Sequence, residues 1–305
     1  MFKRAVEPGG TASTVRQTIA KMTPIPKQRR EAKHDARHRQ LPALALALLM
    51  SLAGARGFAA APPAPSAQEE LRAAKLLETA LFARQAGAED WRKLDVIYRE
   101  LGVRYPRDAA VRNGQAEFFW SIGERARAVE TWEAALEIEP KNAVVLDHLG
   151  GSYLAAGEVK KSAGYYARAV ECAPQNATYR FTLANVTFLF RHELLDATQP
   201  DEAAVLGRAL SHFAEASRLD PLNQEYARAY AETFYSLPKP DWNAGLAAWQ
   251  RFSEITPQKD FAQTNLARVH LKLGQKDAAR ACLDKVQSLD FQRLKARLSE
   301  RIETE

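Results

Sequence analysis

The sequence predicts an all-α chain: an α-solenoid of stacked antiparallel helical hairpins with a C-terminal capping helix. Three observations carry this reading. Pro106, Pro140 and Pro174 stand at two successive intervals of 34 residues. Ahead of Pro140 come Ala116, Phe119, Gly123, Ala128, Trp132 and Ala135; at the same offsets ahead of Pro174 come Gly150, Tyr153, Gly157, Ser162, Tyr166 and Ala169. Within the second copy, Leu146, Leu149, Gly150 and Tyr153 recur at three- and four-residue steps, which puts them on one helical face. Small residues at two offsets, aromatics at two others and a closing proline are the mark of a helical-hairpin repeat. One hairpin cannot bury its apolar face alone, so neighbours must stack.

The chain opens with residues 1–40, polar and basic, ending in KQRREAKHDARHRQ. Leu41 to Ala55 carries no charge and is shorter than the roughly 20 residues a membrane-spanning helix needs. Arg56 interrupts it, and Gly57, Phe58 and Ala59 follow. A basic region, a short apolar region and small residues read as a secretory signal peptide over 1–59, cleaved after Ala59. Its basic part is long enough to raise Met22 as the true start. An uncleaved anchor and an Arg-rich transit peptide are the competing readings. Residues 60–68 form a linker of Pro, Ala and Ser, and the repeat array spans 69–290.

The first hairpin is expected as EELRAAKLLETALFARQAG and AEDWRKLDVIYRELGVRY, ending at Pro106. It has few pattern residues, as terminal repeats do. The clearest hairpin pairs AVVLDHLGGSYLAA with VKKSAGYYARAVEC. Gly157 makes the turn between them, because a positive φ costs glycine nothing. Pro174 stops the second helix by lacking an N–H and clashing with the preceding turn. Ala177 to Phe190 is a further first helix. Its partner, Glu202 to Leu219, ends at Pro221, 47 residues after Pro174, so an insertion occupies 191–203. Gln224 to Tyr235 and Trp242 to Ile255 make the next hairpin. Leu266, Ala267, His270, Gly274, Ala279 and Leu283 mark the last, and 291–305 supplies a charged cap.

This pattern resembles the tetratricopeptide repeat (TPR) family, whose signature reads W-x2-L-G-x2-Y followed by A, F/Y, A and P. LDHLGGSY, Ser162, Tyr166, Ala169 and Pro174 match it, with Leu146 in place of the tryptophan and Ser162 in place of the usual alanine. The preceding unit is weaker at its start (RNGQAEFF) and strong at Ala128, Trp132, Ala135 and Pro140. The resemblance implies that the first helix of each repeat lines a concave face. On this sequence that face includes Asn113, Glu117 and Trp120; Asp147 and Leu154; Phe181, Asn185 and Phe188; Glu225, Arg228, Glu232 and Tyr235; and Phe261, Arg268 and Leu271. The residues expected to hold a partner are Asn113, Trp120, Phe181, Asn185, Phe188, Arg228 and Tyr235. Some family members clamp a terminal carboxylate with Lys and Asn on this face; only Asn185 matches, without its lysine.

Charge and motifs narrow the function classes. The net charge of +6 comes from the leader, where 11 Lys/Arg face 3 Asp/Glu; the rest of the chain is slightly acidic, which argues against nucleic acid. Cys172 and Cys282 form no metal or disulfide pattern and read as small core residues. His192 to Asp196 spells HELLD, close to the zinc motif H-E-x-x-H. Its second ligand position is Asp196, no third ligand is evident, and the segment lies in the insertion, so a polar loop with Leu194 and Leu195 turned inward is the preferred reading. Neither a phosphate loop nor a nucleophile motif is present. No cofactor, metal or catalytic residue is therefore expected, and no membrane span in the mature chain. The expectation is an exported, non-enzymatic scaffold that binds a protein or peptide on its inner face. The alternative is a small hydrophobic or glycan ligand in the same groove.

Overall fold

The computed structural model describes residues 64–195 and 201–304. The expected leader over 1–59, its alternative start at Met22 and the middle of the insertion, including Asp196, lie outside the described residues. Those described form thirteen α-helices and two short 3-10 turns, with no strand among them. They divide between Gly157 and Glu158 into two compact units.

The first unit holds α1 (Ala67–Ala83), α2 (Ala88–Arg104), α3 (Ala109–Ser121), α4 (Arg125–Ile138) and α5 (Ala143–Ala155). α1 pairs with α2 and α3 with α4, while α5 packs on α4. α1 starts two residues before the expected Glu69, because Ser66 caps it: its hydroxyl accepts from Glu69 N, and the Glu69 carboxylate accepts from Ser66 N. α1 also ends earlier than expected, at Ala83. Gln85 adopts φ 53° and Ala86 N donates back to Leu81 O, which closes the helix. The core holds Leu94, Tyr98, Phe118, Phe119, Trp132, Leu146 and Leu149. Ala116, Ala128 and Ala135 are fully buried, which is why no larger residue stands at those offsets.

The turn expected at Gly157 is present, with φ 81°, and Gly123 closes α3 in the same way at φ 90°. There Glu124 N donates to Phe119 O at 2.9 Å. The closing prolines are followed two residues later by helix caps. Asp108, Asn142 and Asn176 accept from Val111 N, Val145 N and Tyr179 N.

The second unit holds α6 (Val159–Cys172), α7 (Ala177–Leu189), α8 (Glu202–Leu219), α9 (Gln224–Thr233), α10 (Trp242–Ile255), α11 (Lys259–Lys272), α12 (Lys276–Asp284) and α13 (Gln292–Thr304). α7–α8, α9–α10 and α11–α12 are hairpins, α6 packs on α7, and α13 packs on α11 and α12. A core cluster of this unit holds Phe234, Trp249, Phe252, Leu266, Val269 and Leu283, and α13 contributes Leu298 and Ile302. The expected helix to Tyr235 gives way at Phe234–Ser236 to a 3-10 turn, since Leu237 precedes Pro238 and is extended. Cys282 is buried as expected, whereas Cys172 is only half-buried.

Candidate functional site

In the first unit, one polar chain joins helices that are far apart in sequence. Lys75 Nζ of α1 donates to Glu117 Oε2 of α3 at 3.0 Å. Asn113 Nδ2 donates to Glu117 Oε1 at 2.9 Å, and His148 Nε2 of α5 lies 3.2 Å from that same oxygen. Trp132 Nε1 of α4 donates to Asn113 Oδ1 at 2.9 Å, and the His148 ring stacks on Trp132 with centroids 5.0 Å apart. Gly114 permits the approach of α1: a Cβ there would lie 2.5 Å from Leu71 Cδ1. Burial alone would raise Glu117, but the His148 hydrogen bond and the Lys75 charge outweigh it and hold the carboxyl down to about 2.

Two further groups belong to this face. Trp120 tilts against Trp132 at 5.8 Å, and the Arg125 guanidinium sits 4.9 Å from its ring centroid. Asp147 is only 7% exposed, and its Oδ1 has no hydrogen-bond partner. Burial pushes its carboxyl up to about 6, against the opposing pull of His148.

In the second unit, arginines lie over aromatic rings on successive first helices. Arg228 of α9 donates to Glu232 at 2.8 Å, and its guanidinium lies 4.7 Å from the Phe261 ring of α11. Arg268 sits 4.2 Å from the Tyr235 ring and donates to Asn265 Oδ1 at 2.9 Å. The Tyr235 hydroxyl donates to Asn265 O at 3.3 Å, and burial pushes it up to about 12. Phe181 lies 4.4 Å from Tyr226, whose hydroxyl is 3.2 Å from Thr178 Oγ1.

The expected partner-binding residues thus divide. Arg228 is exposed, whereas Trp120 and Tyr235 are half-buried, the one against Trp132 and the other against Trp242 and Trp249. Asn113 is half-buried, with its amide already engaged by Glu117 and Trp132. Phe181 and Phe188 are half-buried against Phe213 of α8, at 5.6 and 6.3 Å, so both help to hold their own hairpin together. Asn185 is half-buried on α7. At HELLD, residues 191–194 form a turn, His192 and Glu193 are exposed, and Leu194 and Leu195 are half-buried. Among the described residues, no group of three His, Cys, Asp or Glu side chains is arranged to hold a metal ion. No described helix is long and apolar enough to cross a membrane. The sequence reading missed an open cleft of about 730 Å³ at the turn end of the first hairpin, lined by Phe82, Trp91, Arg92, Asp95 and Ile122 among others. Its residues come from four helices, α1 to α4, and the turns between them, with no shared period to mark them.

Residues 262–293 match the tetratricopeptide repeat family. None of the curated proteins matches the chain. Among solved structures, the fold is similar to YrrB, a TPR protein with an unusual peptide-binding site. The two are 17% identical, over 68% of this chain and 98% of YrrB, with a TM-score of 0.52. Pseudomonas aeruginosa pilF aligns at 16% identity over 78% of this chain and 98% of its own, with a TM-score of 0.49. A MamA crystal structure aligns at 16% identity over 60% and 96%, with a TM-score of 0.44. The chain therefore carries a tetratricopeptide repeat at 262–293, within consecutive helical hairpins packed as in solved tetratricopeptide repeat proteins.

Proposed function

We propose that this chain is a non-enzymatic scaffold that binds an extended peptide, or an extended segment of a partner protein, on the faces presented by its first helices. The observation that carries this reading is the second unit's row of arginines over rings, Arg228 on Phe261 and Arg268 on Tyr235. Flat aromatic surface with a few oriented polar groups is what peptide recognition uses, because it offers contact area at little ordering cost. The fold likeness to YrrB, described as having a peptide-binding site, supports the same reading. Export to the periplasm or cell envelope is part of the proposal and rests on the leader alone.

Co-purification from envelope extracts, with residues 60–305 as bait, tests it. A partner held by this bait and lost with Arg228→Glu and Arg268→Glu, at unchanged helicity, is the expected result. A partner retained by the double variant would move the site elsewhere. Amino-terminal sequencing of the protein recovered from envelopes tests export, and a first residue of Ala60 is expected.

A further inference from the structure

We propose that Asp147 anchors a basic side chain, arginine or lysine, of the segment bound on the first unit; this rests on the scaffold reading and names the chemistry of its partner. Asp147 and Asn113 are equivalent positions, 34 residues apart. Asn113 is satisfied from two sides, donating to Glu117 one helical turn on and accepting from Trp132. One turn on from Asp147 stands Gly151, which offers no side chain. The ring next to Asp147, that of His148, opposes the effect of burial on it and is already turned to Glu117 at 3.2 Å. Glu117 collects Lys75, Asn113 and His148. Asp147 Oδ1 collects nothing.

A buried carboxylate without a donor is costly, and the cost disappears when a donor arrives. A cationic donor gains most, because low-dielectric surroundings strengthen its attraction to the carboxylate. The surroundings agree in charge: residues 64–157 carry 12 Lys/Arg against 15 Asp/Glu. α3 also already accommodates one guanidinium, that of Arg125 over Trp120. A basic side chain brought to Asp147 stabilises its ionised form, so binding tightens as pH rises through the range in which Asp147 titrates.

The test titrates the purified full chain with acetyl-Gly-Arg-Gly-amide and with its citrulline counterpart, which replaces the guanidinium by a neutral urea. Tryptophan indole NMR resonances are the readout. The arginine peptide is expected to bind about tenfold or more tighter than the citrulline peptide. Asp147→Asn is expected to erase that preference and Asp147→Glu to keep it. The arginine affinity of the wild type is expected to rise between pH 5 and 7, with the Asn variant flat. No discrimination between the two peptides, including no binding of either, would overturn the proposal, as would a preference that survives Asp147→Asn. Capture of a partner on the first-helix faces without arginine discrimination would leave the scaffold reading standing and remove this one alone.

Discussion

Gln85 takes the left-handed conformation, φ 53°, at the turn that Gly123 and Gly157 close in the next two hairpins. An L side chain there is strained, and nothing in the sequence marks it, because the glycine of that turn, Gly87, stands two residues later and takes φ −78° at the start of α2. Gln85→Gly is therefore expected to raise stability by about 1 kcal/mol, read by urea denaturation. Asp147 gives a pH prediction of definite sign. Its folded-state carboxyl stands at about 6 against an ordinary 3.8. The native state therefore binds more protons between those values, and stability falls as pH rises from about 4 to about 6. Asp147→Asn removes that slope and is more stable at pH 7, by at most about 3 kcal/mol. Glu117 runs the other way, with stability present above its ordinary value and lost as pH falls toward about 2. The placement of these groups on the first helices was legible from the repeat register. Their pairing was not: the Trp132 bond to Asn113 joins two helices of a hairpin and depends on side-chain rotamers.

At the scale of the helix, the repeat spells its own boundaries. Asp108, Asn142 and Asn176 recur at 34 residues, each two places after a closing proline. That cap signal is readable in the sequence once the prolines are aligned, and it fixes where α3, α5 and α7 begin. Asn142→Ala leaves the Val145 amide without its 3.2 Å acceptor. The expected loss is about 1 kcal/mol, measured as a lower denaturation midpoint at unchanged slope. Ser66 and Glu69 form the S-x-x-E capping box, so Ala67 and Gln68 belong to α1 despite lying in a stretch of Pro, Ala and Ser. The ends of α1 and α9 were harder to place. The first is set by the left-handed Gln85 with its local Ala86-to-Leu81 bond and the second by the residue before a proline, and helical periodicity runs on past both.

At the scale of the whole chain, the 34-residue period carried the fold class, because Ala116, Phe119, Ala128, Trp132 and Ala135, and at the same offsets Gly150, Ser162, Tyr166 and Ala169, are buried, with Tyr153 half-buried. The division at Gly157 was not legible, since it falls inside the best-matching repeat. The final helix is expected to act as a cover: α13 buries Leu298 and Ile302 against α11 and α12. Ending the chain after Asp290 uncovers that apolar surface and is expected to lower the melting temperature and promote association, seen by light scattering. The central claim is that a partner lies along the first helices. Hydrogen exchange on the captured complex measures this most directly. Protection gained in α3, α5, α7, α9 and α11, with α4, α8, α10 and α12 unchanged, is the predicted result; protection confined to the second helices or to the first-hairpin cleft would contradict it.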